Sequence, residues 1–265
     1  MVLLLAAACV SRKPSAPPPP PCAFGVEPVD VPVAAATPDE RNERFDLPDG
    51  PVWWSPAPAD PERDAYREAL GRRLKTQGLE PRALLLRQRA VFAALPGDRS
   101  REIENADTLA AGTAGTVGPV SCLEWLLFQR QARRFPPLSR PTELFAWVLR
   151  GNGRVHVYLS GADRVGGRLR EEVTERVAAD VTAGFVPVAH LHNHPFMLDR
   201  QPGDRTWATA ETVADVGGAL APSLSDVKLW RAMRERVGLQ GGWVTNGLDT
   251  ARFAPVDLDR LSAWP

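Results

Sequence analysis

Strand-type and helix-type hydrophobic patterns follow one another along residues 121–255, which requires a sheet covered by helices. The segments "TELFAWVLR" (142–150) and "VHVYLS" (155–160) have the composition of strands. Between them lies Asn152-Gly153, a dipeptide typical of two-residue hairpin turns. The two segments are therefore predicted to pair as a β-hairpin.

The rest of this region continues the mixed pattern. Residues 169–181 carry apolar side chains at helical spacing, and "FVPVAHLH" (185–192) has the composition of a strand, with Pro187 indicating a strand start or a sheet edge. A second amphipathic helix is predicted for residues 223–238, followed by a hairpin around Asn246-Gly247. The predicted fold class is mixed α/β (α+β): a mixed sheet flanked by helices.

The first part of the chain has a different composition. Residues 10–58 include "SAPPPPPC" and many other prolines, which favour extended polyproline conformations, so this segment is predicted to be a linker or stalk. Residues 59–97 predict a helical hairpin, and residues 98–119 predict a loop. The main domain is predicted to occupy residues 120–265, beginning with the capping box formed by Ser121 and Glu124.

The N-terminal decapeptide "MVLLLAAACV" looks like a secretion signal that ends in a lipobox, as in bacterial lipoproteins. This resemblance implies that Cys9 carries the lipid and that the protein is anchored in the cell envelope; the alternative is a cytoplasmic protein. No later segment reaches transmembrane length, so membrane contact is expected through the lipid alone. Cys22 and Cys122 can pair, but a buried, free Cys122 is the favoured expectation.

The charge balance bears on possible partners. Lys plus Arg and Asp plus Glu each number 32, so the composition provides no general attraction to nucleic acid. The letters "HNH" at 192–194 do not indicate a nuclease, because that motif spreads its residues along a larger element and no basic patch accompanies them here. We therefore expect no nucleic-acid partner.

Three of the four histidines in the chain alternate along one predicted strand. His190, His192 and His194 point to the same face, with Cα atoms two positions apart separated by roughly 6.6 Å. Imidazoles at this spacing can converge on one metal ion, and zinc sites that catalyse reactions commonly combine three protein ligands with water. The pattern predicts a metal site that takes a further ligand from another part of the chain.

The motifs in this region resemble those of the JAB/MPN metalloprotease family. "HNHP" followed by "PSLSDVKLW" is similar to the His-x-His-Pro and Ser-x-x-Asp elements of that family. Glu143, near the start of an earlier strand, lies where the family places a glutamate. The resemblance covers roughly residues 141–255, although the 27 residues between Pro195 and Ser223 make a longer spacer than is usual and form a possible lid or substrate-selecting loop.

The resemblance implies roles for individual residues. His192, His194 and Asp226 would bind Zn²⁺, Glu143 would act as general base and then general acid, and Ser223 would donate a hydrogen bond to the oxyanion. His190 is expected to support the site or line the cleft rather than bind the metal. The implied activity is hydrolysis of an amide bond, either peptide or isopeptide, in a peptide or protein substrate. The alternative is a JAB/MPN-like scaffold that has lost activity.

Some assignments stay open at the level of sequence. Asp199, Asp204 and Asp215 compete with Asp226 as the third ligand, and Ser223-x-x-Asp226 is also an ordinary helix N-cap. Asp226 is preferred because it opens a clear amphipathic helix. Glu124, the rival of Glu143, is explained by its own capping box. Asn193 is expected to face away from the metal and to matter little.

Overall fold

A computed structural model describes residues 22–74, 78–166, 170–196 and 217–265. Within these residues the chain forms seven α-helices and one eight-stranded mixed sheet, which confirms the predicted mixed α/β class. The sheet order is β1-β2-β5-β4-β6-β7-β8-β3. Of the pairings in the sheet, β6 with β7 is parallel and the others are antiparallel.

The strands are β1 (Val29–Asp30), β2 (Arg41–Pro48), β3 (Thr116–Pro119), β4 (Leu144–Gly151), β5 (Arg154–Gly161), β6 (Val186–Asn193), β7 (Gly242–Thr245) and β8 (Asp249–Phe253). The helices are α1 (Pro61–Leu74), α2 (Pro81–Ala94), α3 (Ser100–Ala110), α4 (Cys122–Arg134), α5 (Glu171–Thr182), α6 (Leu224–Val237) and the short α7 (Pro255–Leu258). No helix in the described ranges is long and apolar enough to cross a bilayer.

The predicted β4–β5 hairpin is confirmed. Asn152 and Gly153 both have positive φ, 52° and 70°, the backbone that a two-residue hairpin turn requires. Strand β6 lies between β4 and β7, so the prediction that Pro187 marks a sheet edge is wrong. Pro187 is the second residue of β6, which confirms the alternative prediction of a strand start. The β4–β6 register shifts opposite Pro187, where the missing N–H interrupts the ladder.

Helices cover both faces of the sheet. On one face, Arg130 of α4 pairs with Glu43 of β2 and lies over the ring of Phe45. On the other face, Asp180 of α5 accepts hydrogen bonds from Tyr158 and pairs with His156, both in β5. Helix α6 packs on this second face, which also carries the histidines of β6. The core therefore lies between the sheet and two helical layers.

Two predictions for the N-terminal part are wrong. The segment 10–58 is not a linker throughout, because β2 pairs with β5 along its whole length. The segment 98–119 is not a loop, because it contains α3 and β3, and β3 completes the sheet beside β8. The helices α1 and α2 form as predicted, but α2 packs mainly against α3. The sheet thus begins well before residue 120.

A disulfide joins Cys22 to Cys122 across a sequence separation of 100 residues. The expectation of a free Cys122 is therefore wrong. Cys122 is the first residue of α4, so the bond ties the start of the described chain to the helix that packs over β2. It closes a loop that contains β1, β2 and the first three helices.

Candidate metal centre

His192, His194 and Asp226 converge at the end of β6. The Nε2 atoms of the two histidines are 2.9 Å apart, and Asp226 Oδ2 lies 3.3 Å from His192 Nε2 and 3.5 Å from His194 Nε2. His192 is the second-last residue of β6, and His194 follows the end of that strand. Asp226 lies in the first turn of α6. Within the described residues this is the one group of three or more such side chains that can hold a metal ion.

The triangle of donor atoms has the dimensions of a metal site. Ligand atoms that lie 2.0–2.1 Å from zinc at tetrahedral corners are about 3.3 Å apart. The three observed edges bracket this value, and the atoms offered are two imidazole nitrogens and one carboxylate oxygen. Three protein ligands leave one tetrahedral corner open, which is the usual arrangement of catalytic zinc. The residues present therefore fit a zinc ion.

The backbone sets the tautomer of His194. Its Nδ1 lies 3.1 Å from the carbonyl oxygen of Ala219, so Nδ1 carries the proton and Nε2 presents its lone pair to the site. The main-chain nitrogen of His194 donates to Thr245 O in β7 at 2.8 Å. His194 is fully buried, and these two contacts hold the ring in place without a bound ion.

The start of α6 positions Asp226. Ser223 is the N-cap: its backbone N–H donates to Asp226 Oδ2 at 2.8 Å, and its Oγ accepts from Asp226 N at 3.1 Å. Burial raises the pKa of the Asp226 carboxyl group, but the neighbouring histidines, His192 above all, lower the pKa well below its ordinary value. Asp226 is thus held as a carboxylate, the form that binds metal.

Glu143 lies immediately before β4 and is buried. The β4–β6 register pairs Phe145 with His192, and Glu143 lies two residues before Phe145 along the chain. Its carboxylate Oε2 accepts a hydrogen bond from Gly166 N at 2.6 Å. Glu143 is not a member of the three-residue cluster that can hold a metal ion.

Ser223 has a second neighbour that the sequence analysis missed. Its Oγ lies 2.8 Å from Ser225 Oγ, and either hydroxyl can be the donor of this hydrogen bond. Ser223 is buried, whereas Ser225 is half-buried. The two hydroxyl groups are thus hydrogen-bonded to each other at the start of α6, next to Asp226.

His190 packs beneath the cluster and does not join it. Its Nδ1 accepts a hydrogen bond from Trp230 Nε1 at 3.3 Å, and its ring meets Trp147 edge-on at 5.1 Å between ring centres. Burial, followed by the charge of His192, lowers the pKa of His190 to about 3, so the ring is neutral. A neutral, buried ring in contact with Trp230 forms part of the wall behind His192.

A cleft opens beside this wall, between α5 and α6. Its volume is about 650 Å³, and its lining includes Trp147 of β4, Glu171 and Glu175 of α5, and Leu229, Met233 and Val237 of α6. Trp147 lines the cleft and contacts His190, whereas His192, His194 and Asp226 are not among the residues that line it. Phe145, which stacks on His192 at 5.9 Å, is half-buried and lies between Trp147 and Glu143 along β4.

Other predicted residues stand apart from the cluster or outside the structure. Asp199, Asp204 and Asp215 belong to residues 197–216, which lie outside the described ranges, as does Cys9. His156 is paired with Asp180 and stacked on Phe185, on another part of the sheet. Comparisons with protein-family models, curated proteins and solved structures found no match.

Proposed function

We propose that this protein is a zinc-dependent hydrolase of amide bonds, peptide or isopeptide, with a JAB/MPN-like site. One observation carries the proposal: the Nε2 atoms of His192 and His194 and the Oδ2 atom of Asp226 form a triangle of zinc-site dimensions. Glu143 supplies a buried carboxylate two residues before Phe145, which pairs with His192 between β4 and β6. The order of these residues along the chain is that of the family motif described above.

Each residue has a role that its position supports. Zinc, when bound, would polarise the substrate carbonyl and lower the pKa of a water molecule towards neutrality. Glu143 would take up the proton of the attacking water and return it to the leaving amine. Ser223, whose Oγ accepts from Asp226 N, would donate its hydroxyl proton in a hydrogen bond to the developing oxyanion.

The cleft between α5 and α6 supports a peptide or protein substrate. It is large enough for several side chains, and Trp147, Met233 and Val237 make its floor apolar. Helix α6 contributes Asp226 at its start and one cleft wall, from Leu229 to Val237, along the rest of its length. The acidic residues Glu171 and Glu175 line the other side.

We further propose that the protein acts in the cell envelope as a lipid-anchored enzyme. The Cys22–Cys122 disulfide supports export, because such bonds persist in oxidising compartments and are rare in the cytoplasm. Labelling cells with a radioactive fatty acid tests the anchor: wild type should be marked and Cys9→Ala should not. An unlabelled full-length protein in the cytosol would contradict this location.

The activity test uses the zinc-loaded full chain and a proteome-derived peptide library, with new termini detected by mass spectrometry. Glu143→Gln should retain zinc but lose cleavage by about 10²–10⁴-fold, the contribution typical of a general base. Glu235→Gln, an exposed glutamate of α6, is the control and should cleave like wild type. If wild type binds zinc but cleaves none of the peptides, the scaffold alternative replaces the hydrolase.

A further inference from the structure

We propose that Asn193, between the two metal-site histidines, positions Glu143. The side chain of Asn193 is almost completely buried and points away from the face that carries His192 and His194. Its Oδ1 accepts a hydrogen bond from Leu144 N at 2.7 Å, and its Nδ2 donates to Thr142 O at 3.0 Å. One amide thus bonds to the backbone on both sides of Glu143. The inference rests on the proposed function, in which Glu143 is the general base.

The backbone ladder does not reach Glu143. The β4–β6 register ends at Phe145 and His192. Beyond that point the main-chain nitrogen of His194 donates to Thr245 of β7, and the next residue, Pro195, has no N–H to offer. The Asn193 side chain takes the place of a further rung. The side chain therefore links the residues before β4 directly to the strand that bears the metal ligands.

Other contacts support the same short segment from different directions. Glu143 N donates to Arg164 O at 3.0 Å, and Gly166 N donates to the Glu143 carboxylate. Gln131 of α4 donates to Thr142 Oγ1 at 2.9 Å. Among the contacts named here, the two bonds made by Asn193 are those that connect this segment to β6 and so help to set its distance from the histidines.

The test measures the environment of a metal without needing a substrate. The full chain is loaded with Co²⁺, and the visible absorption spectrum is recorded as a function of pH. Glu143→Gln should move the midpoint of the spectral change by about one pH unit or more, as expected when a charge close to a titrating group is removed. Asn193→Ala should move it in the same direction while binding the same amount of Co²⁺. Hydrogen exchange at the Leu144 amide should also become faster.

Asn105→Ala is the matched control. Asn105 is also buried and also binds backbone, accepting from Ser262 N at 2.7 Å and donating to Ser262 O at 3.0 Å, with a longer contact of 3.5 Å to Pro222 O. Its loss should lower thermal stability to a similar degree and leave the cobalt midpoint unchanged. Asn193→Ser, a milder substitution, replaces Asn193→Ala if that variant does not fold, and should give a smaller shift in the same direction.

The outcomes separate this inference from the proposed function. If Glu143→Gln shifts the midpoint and Asn193→Ala does not, the positioning role of Asn193 is wrong and the general base stands. If Glu143→Gln itself titrates like wild type, the general-base role is wrong and this inference falls with it. If wild type binds no Co²⁺, both the metal centre and the inference are overturned.

Discussion

Asp226 Oδ2 lies 3.3 Å from His192 Nε2, and the same oxygen accepts the hydrogen bond that caps α6. Helix start and metal site therefore share one atom. The cap fixes the side-chain rotamer of Asp226 before any ion binds, so this metal-binding side chain does not have to become ordered when the metal arrives. This relationship predicts that the site is preorganised and that its two roles can be separated by substitution.

The first prediction concerns metal content. Wild type should bind about one zinc per chain, and the double variant His192→Ala/His194→Ala should bind none, because a single carboxylate cannot hold zinc tightly. Elemental analysis of purified protein measures this directly. His156→Ala is the control, since His156 pairs with Asp180 away from the cluster and its loss should leave the metal content unchanged. A wild type without stoichiometric transition metal contradicts the metal centre.

The second prediction separates ligand from cap. In Asp226→Asn the amide oxygen can still accept from Ser223 N, so α6 should remain capped, but a neutral amide is a poor zinc ligand and zinc affinity should fall. Ser223→Ala should do the reverse, retaining zinc while costing about 1 kcal/mol of stability. Chelator competition and urea unfolding measure the two effects. Ser121→Ala removes the corresponding cap acceptor of α4 and calibrates the cost of cap loss.

The third prediction concerns the disulfide. Cys22→Ser should lower the free energy of unfolding by about 2–4 kcal/mol, because the Cys22–Cys122 bond closes a long loop in the unfolded chain. Urea unfolding of wild type with a reductant should give the same loss, and the reductant should have no further effect on the variant. Two reactive thiols from Cys22 and Cys122 in unreduced, denatured wild type would show that the bond does not form.

The fourth prediction is a pH dependence of stability. Hydrogen bonds from Arg170 lower the pKa of Glu40 to about 2, although burial opposes them. Because the folded pKa is lower than the unfolded one, the stabilisation is complete above about pH 4.5 and is lost as the pH falls towards about 2. Wild type should therefore have a larger free energy of unfolding than Glu40→Gln at pH 7. Urea unfolding should show that this difference shrinks as the pH falls from about 4.5 towards about 2. A pH-independent gap would contradict the assignment.

The local features of the fold could be predicted from the sequence, since short-range contacts produce them. Both capping boxes, at Ser121 and Ser223, form as the motifs indicate, and Asn152-Gly153 makes the β4–β5 turn. The alternation of His192 and His194 placed both side chains on one face. Each of these depends on hydrogen bonds or dihedral preferences within a few residues, and neighbouring residues alone carry that information.

The long-range features were decided only by the tertiary structure. Strand β2 has few strand signals beside its prolines and becomes a strand because β5 offers it a full partner edge. Cys122 finds Cys22 only because the fold brings the two together, and the 3.3 Å approach of Asp226 to His192 depends on α6 docking against β6. The role proposed for Asn193 also depends on tertiary structure, because its side chain bonds to Thr142 and Leu144 at the start of the neighbouring strand β4. Pairing of distant residues depends on which surfaces meet during folding, and no local pattern encodes that choice.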